Sequence, residues 1–222
     1  MENKYNDLFD LDKTIAKDLF LKVNYPWEVL PLIGDFILFL GNSLGADYEK
    51  IGDNVWIHKS AKVAASAFIN GPAIICEWAE LRHSCFIRGK AIIGKGCVVG
   101  NSTEVKNAIL FDDAKAPHFN YIGDAIMGDS SHIGAGVILS NVKSDNSNIV
   151  IKDKDGDIPT GMRKMSGILG SFVDVGCNSV VFPGSIIFPN TNIYPLTRVR
   201  GVIEENKIVK SIDNIVDKKE RL

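Results

Sequence analysis

The segment from Lys106 to Asn141 contains the residue types in this chain that are best suited to chemistry. Lys106 is followed twelve residues later by His118, then by Tyr121, and Asn141 ends the segment. Imidazole changes its charge near neutral pH, so a histidine can accept a proton from an attacking nucleophile. Each of these side chains alone would also suit an ordinary surface position. The elements that position them therefore decide whether they form a site.

The repeat that surrounds this segment has a period of six residues. Such a period fits neither an α-helix nor an ordinary strand, but it is typical of hexapeptide β-helices, in which three units close one triangular coil. We predict a mainly β fold, a left-handed parallel β-helix over residues 51–203. Ten aliphatic residues in succession carry the period: Ile51, Ile57, Val63, Ile69, Ile75, Leu81, Ile87, Ile93, Val99 and Val105.

The first 50 residues have a helical pattern. Leu8, Leu11, Ile15 and Leu19 fall on one helical stripe, and Pro26 favours a helix start. Because the end of a β-helix leaves backbone groups unpaired, we predict that residues 1–50 form an N-terminal helical cap on the first coil.

The repeat is interrupted in two places. Its spacing shortens between Phe111 and Met127, and irregularity inside a regular solenoid often marks a functional site. Residues 142–163 are polar and break the period, which predicts an extruded loop with a small hairpin through residues 149–151. Residues 204–222 form a charged C-terminal tail, for which a closing helix and a frayed end both stay open.

The overall composition favours an ordinary globular protein and leaves local basic sites for phosphate open. The formal net charge of −2 gives no support for a nucleic-acid or membrane partner. The four cysteines show neither CxxC pairing nor metal-ligand spacing, and no secretory signal is evident, so we expect a cytoplasmic protein. The apolar stretch over residues 29–44 is too short and too interrupted to span a bilayer, and we expect a buried amphipathic helix there.

The segment reads K-N-A-I-L-F-D-D-A-K-A-P-H-F-N-Y-I-G-D-A-I-M-G-D-S-S-H-I-G-A-G-V-I-L-S-N. It resembles the acetyltransferase domain of the bifunctional bacterial enzymes that acetylate glucosamine-1-phosphate and then uridylylate it. It also resembles archaeal sugar-1-phosphate nucleotidylyltransferases with the same C-terminal β-helix. The shared pattern is H-x-x-Y-[LIV]-G-D, then a G-A-G and a later Asn. The 50 residues before the repeat contain no Gly-rich nucleotide loop, so we do not expect nucleotidyl transfer.

The resemblance implies a set of roles for residues of this chain. Acetyl-CoA would be the co-substrate, no metal would be needed, and His118 would be the catalytic base with Glu104 orienting it. The acceptor would be an amino-sugar phosphate or a sugar nucleotide on the way to UDP-N-acetylglucosamine. The residues that would bind it are Arg88, Lys106, Tyr121, His132, Asn141 and Lys164. The residues that would bind CoA are Ala135, Asn141, Cys177, Arg198 and Arg200.

Three positions depart from the bacterial pattern. His132 replaces an Asn that contacts sugar, Cys177 replaces a Ser near CoA, and Val142 replaces a Tyr. These changes alter the acceptor pocket more than the acyl-transfer machinery. The long loop at residues 142–163 is similar to the archaeal arrangement and would reach over a neighbouring subunit.

The resemblance further implies a homotrimer with acetyl-CoA between two β-helices. Two alternatives stay open: a sugar-nucleotide or CoA-binding β-helix without catalysis, and an acyltransferase for another amino sugar or a longer acyl chain. A relative of γ-class carbonic anhydrases is disfavoured, since the four histidines lack the H-x4-H pair that its zinc site uses.

Overall fold

The repeat folds as a left-handed parallel β-helix in which each coil adds one short strand to each of three sheets. The computed structural model describes residues 4–219. Successive coils pair in register, as Ile57 with Ile75 and Ile75 with Ile93. Two strands, Glu104–Leu110 and Tyr121–Met127, run through one corner and so belong to two sheets at once. The fold class predicted from the sequence is confirmed.

The three sheets are numbered in the order in which a coil visits them. The first sheet contains Val55–His58, Ala73–Ile75, Ala91–Ile93, the second halves of the two long strands, Ile168–Leu169, Ile186–Ile187 and Val202–Ile203. The second contains Lys62–Val63, Glu80–Leu81, Val98–Asn101, Lys115–His118, His132–Ile133, Asp174–Val175, Asn192–Ile193 and Lys207–Ser211. The third contains Phe68–Ile69, Phe86–Ile87, the first halves of the long strands, Ile138–Leu139, Val180–Val181 and Arg198–Val199.

The interior holds the aliphatic column that the period of six predicts. From Ile75 to Val105 every member of the run is at most 1% exposed. Ile51 is an exception with 52% exposure. It lies in an antiparallel strand, Tyr48–Ile51, that pairs with Val55–His58 at the edge of the first sheet. The β-helix therefore begins at Val55, not at residue 51.

The helices of the N-terminal segment do not cap the first coil, so this part of the prediction is wrong; only the end of the segment, in the strand Tyr48–Ile51, pairs with that coil. The helices lie along the outer face of the first sheet, because that face carries a second aliphatic column which would otherwise be in water. Trp27, Ile33 and Ile37 pack there against outward-facing Ile92 and Ile109. The helices are 3-10 turns at Lys4–Leu8, Leu11–Lys13 and Pro26–Leu32, and α-helices at Lys17–Phe20 and Ile33–Gly41.

The corner between the third and first sheets is shorter in two coils than in the coil before them. Three residues, 88–90, connect Ile87 to Ala91, whereas two connect Val105 to Ala108. Asn107 and Asp124 adopt a positive φ at the two shortened corners. The corner at Asp124 lies within the distortion expected between Phe111 and Met127, whereas the corner at Asn107 lies before it. Both corners lie beside the candidate site.

Two antiparallel hairpins complete the fold. The hairpin expected inside residues 142–163 is present as Val150–Asp153 and Gly156–Pro159. Its Ile151 is buried in the cluster on the first sheet, so the hairpin packs on its own chain. Up to residue 219 the predicted tail is neither a helix nor frayed: Lys207–Ser211 is a strand of the β-helix, and Asn214–Asp217 folds back onto it. Residues 220–222 of that prediction lie outside the described residues.

Candidate functional site

A buried carboxylate organises the shortened corner. Asp124 is 5% exposed and accepts three hydrogen bonds. Lys106 Nζ lies 3.1 Å from its Oδ2, and Asn141 Nδ2 lies 2.5 Å from the same atom. Asn107 Nδ2 donates to Oδ1 at 2.8 Å. The network brings together two residues predicted for the site, Lys106 and Asn141.

Tyr121 joins this cluster from the outer face of the third sheet. Its hydroxyl oxygen accepts a hydrogen bond from Asn141 Nδ2 at 3.3 Å. The ring leans across Gly123, where a Cβ atom would lie 2.5 Å from the hydroxyl oxygen. A side chain at position 123 would therefore displace the tyrosine.

Glu104 contacts Arg88 and does not contact His118, the residue that it was predicted to orient. Its Oε1 atom lies 2.6 Å from Arg88 Nη1, and among residues 4–219 no hydrogen bond joins it to His118. The pKa of Arg88 is raised chiefly by the hydrogen bond and charge of Glu104, with smaller contributions from Tyr121 and Asp124. We call Asp124, Lys106, Asn107, Asn141 and Tyr121 the Asp124 cluster. Arg88 thus lies close enough to interact electrostatically with this cluster, and Glu104 is placed to orient Arg88.

His118 lies at the opposite edge of the third sheet, on the corner that follows the second sheet. Its ring is exposed, and its backbone carbonyl accepts a hydrogen bond from Gly136 N at 3.1 Å. Ala135 and Cys177 occupy the same corner in the following coils, joined by Asn178 N donating to Ala135 O at 2.8 Å. The three residues predicted for the base and the CoA side are therefore stacked along one corner.

The backbone of this corner is fixed by Asn120, which the sequence reasoning missed. Asn120 is 3% exposed. Its Oδ1 accepts from His118 N at 3.1 Å, and its Nδ2 donates to Gly134 O at 2.7 Å. Within the described residues, the N–H of Ala135 donates to no protein acceptor. The corner thus offers an imidazole and a backbone donor side by side.

His132 lies apart from the Asp124 cluster. It is on the outer face of the second sheet, and its Nδ1 atom is 2.8 Å from Asp174 Oδ1. This hydrogen bond lowers the pKa of Asp174. The structure gives His132 no contact with Lys106, Tyr121 or Asn141.

Three basic residues that were predicted to bind substrate or CoA have exposed side chains: Lys164, Arg198 and Arg200. Arg198 lies on the outer face of the third sheet, in register with Val180. Arg200 borders a cavity of about 440 Å³ between the extruded segment and the coils, together with Lys143 and Lys152. Lys164 precedes Met165, whose N–H donates to Asn141 O at 3.1 Å. No salt bridge within residues 4–219 involves Lys164, Arg198 or Arg200.

In residues 4–219 no three His, Cys, Asp or Glu side chains are grouped so that they could hold a metal ion. No helix in that part of the chain is long and apolar enough to cross a membrane.

The fold defines the class: a left-handed β-helix of hexapeptide repeats, with polar residues gathered along the two edges of its third sheet. Residues 69–209 match the GMPPB C-terminal domain family. The chain belongs to this family. The sequence resemblance to β-helix domains of sugar nucleotidyltransferases and acetyltransferases is thereby confirmed.

The curated relatives are described as bifunctional proteins. The bifunctional protein GlmU of Methanococcus maripaludis is 29% identical over 202 residues, covering 90% of this chain and 49% of the relative. A bifunctional sugar-1-phosphate nucleotidylyltransferase/acetyltransferase of Sulfurisphaera tokodaii is 28% identical over 194 residues, covering 80% of this chain and 48% of the relative. The chain spans about half the length of the curated relatives it matches.

Among solved structures, the chain is similar to a mutant of AntD, an N-acyltransferase from Bacillus cereus, in complex with dTDP and coenzyme A. The identity is 16%, the TM-score 0.42, and the match covers 76% of this chain and 82% of that one. A mutant GDP-perosamine N-acetyltransferase from Caulobacter crescentus, in complex with CoA and GDP-perosamine, has 17% identity and a TM-score of 0.31, with 75% and 57% covered. At these TM-scores the likeness carries no functional argument.

Proposed function

We propose that this protein is an acyltransferase that moves the acetyl group of acetyl-CoA onto the amino group of a phosphorylated amino sugar, similar to glucosamine-1-phosphate. One observation carries the proposal: a base and a cation cluster occupy the two edges of a single sheet. His118 stands at one edge, and Arg88, Lys106, Tyr121 and Asn141 stand at the other. A sugar lying across the sheet would reach both edges.

The proposed mechanism assigns one role to each edge. His118 removes a proton from the acceptor amine, and the nitrogen lone pair attacks the thioester carbonyl carbon. The N–H of Ala135 donates to the oxygen that becomes negative in the tetrahedral intermediate. The intermediate collapses, the C–S bond breaks, and CoA leaves as the thiolate. Arg88 and Lys106 hold the phosphate, so that the amine is oriented before it attacks.

The CoA side of the site follows the stacked corner. Ala135 and Cys177 lie one coil apart along it, and Arg198 and Arg200 lie further along the same end of the β-helix. We assign the acyl and pantetheine portion to the corner and the phosphates of CoA to these arginines. No metal takes part in this scheme.

We further propose a homotrimer with acetyl-CoA between neighbouring β-helices. The outer face of the first sheet is covered by the chain's own helices, which leaves the other two faces for a second copy. Phe68, Phe119 and Leu196 are at least 60% exposed on or beside those faces, and such apolar surface favours association. The free thiols at Cys76, Cys85, Cys97 and Cys177 suit a reducing cytoplasm.

The test is CoA release from acetyl-CoA with a panel of amino sugars and their 1-phosphates. His118→Ala is expected to lower turnover by about 10²- to 10⁴-fold, the usual contribution of a general base. His83→Ala is the matched control, because His83 is an exposed histidine on the same corner, hydrogen-bonded to Ser66 at 2.6 Å.

Each result of this test decides between functions. Turnover with one acceptor, lost in His118→Ala and kept in His83→Ala, supports the proposal. Full activity in His118→Ala removes the base assignment. Binding of CoA or of a sugar phosphate, without turnover for any acceptor, favours a binding protein.

A further inference from the structure

Asp124 has no role in the scheme above, although it is the most connected polar side chain of the site. It is 5% exposed and faces Lys106, Asn107 and Asn141, with Tyr121 and Arg88 beyond them. A buried carboxylate is costly unless its oxygens accept hydrogen bonds. Here both oxygens do so, which makes the corner a closed network.

An ionised carboxylate only accepts hydrogen bonds, so it decides which way its neighbours face. Asn141 must turn its NH₂ group inward, where one hydrogen reaches Asp124 Oδ2 and the other reaches the Tyr121 hydroxyl oxygen. Both amide hydrogens are then used, and Asn141 Oδ1 is left as an acceptor. No donor among residues 4–219 makes a hydrogen bond to that oxygen.

The same reasoning fixes the other two groups. The Tyr121 oxygen accepts from Asn141, so its own O–H is available to donate. Lys106 gives one of its three N–H donors to Asp124 and keeps the others. The exposed side of the cluster therefore presents donors at Tyr121 and Lys106 and an acceptor at Asn141.

We propose that Asp124 is a positioning residue that sets this polarity, so that Tyr121 and Lys106 donate to phosphate oxygens while Asn141 Oδ1 accepts an N–H of the attacking amine. The inference rests on the proposed function for its substrate. The shortened corner supports it, since Asn107 and Asp124 stack in adjacent coils where one residue is missing from each corner.

The first experiment does not depend on activity. Asn141→Asp places a second carboxylate against Asp124, and the like charges are expected to lower Tm by several degrees at pH 8. The exchange Asp124→Asn with Asn141→Asp restores one amide and one carboxylate, and is expected to recover most of the loss. If Asn141→Asp left Tm unchanged, or if the double variant Asp124→Asn/Asn141→Asp recovered none of the lost Tm, the proposal that Asp124 orients the Asn141 amide would be wrong.

The second experiment measures acceptor kinetics. Asp124→Asn is expected to lower kcat/KM for the phosphorylated acceptor by about 10- to 100-fold, mainly through KM, because Lys106 and Tyr121 are no longer held in place to donate to the phosphate. In an Asn141→Ala background the same change is expected to cost less than it does in the wild type, since part of the effect of Asp124 passes through Asn141 and the rest through Lys106. Fully additive losses would instead mean that Asp124 acts independently.

Asp129→Asn is the matched control. Asp129 is also 5% exposed and is hydrogen-bonded to Ser171, but it lies outside the cluster. Its substitution is expected to leave the acceptor KM unchanged, and an equal rise in KM would assign both carboxylates a purely structural role. If the wild type turns over no acceptor, the proposed function fails, and the exchanged pair still decides the role of Asp124.

Discussion

The outer faces of the first and third sheets differ in polarity and burial, although both sheets are built from the same coils. On the first sheet, outward positions such as Ile92, Ile109 and Ile126 are fully buried under the N-terminal segment. On the third sheet, the corresponding outward positions include Glu104 and Tyr121, which are half-buried, and Arg198, which is exposed. The inward residues are aliphatic in both sheets. The outward residues alone therefore determine that the first sheet packs against helices, whereas the third sheet carries the polar residues of the candidate site.

The largest effect is expected from placing a charge on each face. Ile109→Asp buries an unpaired carboxylate under the helices and is expected to cost more than about 4 kcal/mol, enough to prevent folding. Ile138→Asp, on the third sheet with 37% exposure, is expected to cost less than about 1 kcal/mol. Urea denaturation of both variants checks this. Equal damage from Ile138→Asp would show that another copy of the chain covers the third sheet.

A smaller effect is expected where the helix Ile33–Gly41 ends against the first sheet. A Cβ atom at Gly41 would lie 2.5 Å from the Trp56 ring, so Gly41→Ala is expected to destabilise the fold by about 1–3 kcal/mol. Gly45→Ala is the control, because a Cβ there meets nothing within 4 Å. Thermal unfolding compares the two. If Gly41→Ala were as stable as wild type, the packing of the helix on this sheet would be less rigid than described.

The smallest effect is expected on the third sheet and concerns binding, not stability. Arg88→Gln is expected to raise the KM for a phosphorylated acceptor by about tenfold, because a charge-assisted contact to phosphate is lost. Arg82→Gln is the control, since Arg82 forms a similar exposed ion pair with Glu80 on the second sheet. Both variants should keep the wild-type Tm, as exposed ion pairs contribute little. A KM change in both would point to a general charge effect.

The site could be predicted from the sequence in part. The resemblance to acetyltransferase domains selected Lys106, His118, Tyr121 and Asn141, and the structure places these side chains along the two edges of one sheet. The pairing of Glu104 with Arg88 was not predictable, because it depends on which outward side chains meet across neighbouring coils. The same holds for His132, which the second sheet turns toward Asp174.

By itself the sequence determined the β-helix and its interior, because a period of six requires one inward aliphatic residue for each strand. Where the helical segment lies was decided by the tertiary structure, since the outward column from Ile74 to Ile186 becomes one continuous face only after the coils stack. The role of Asp124 was decided there as well. Its three donors come from the coils before and after its own, each 17 or 18 residues away from Asp124 in the chain, and only coil stacking brings them to one carboxylate.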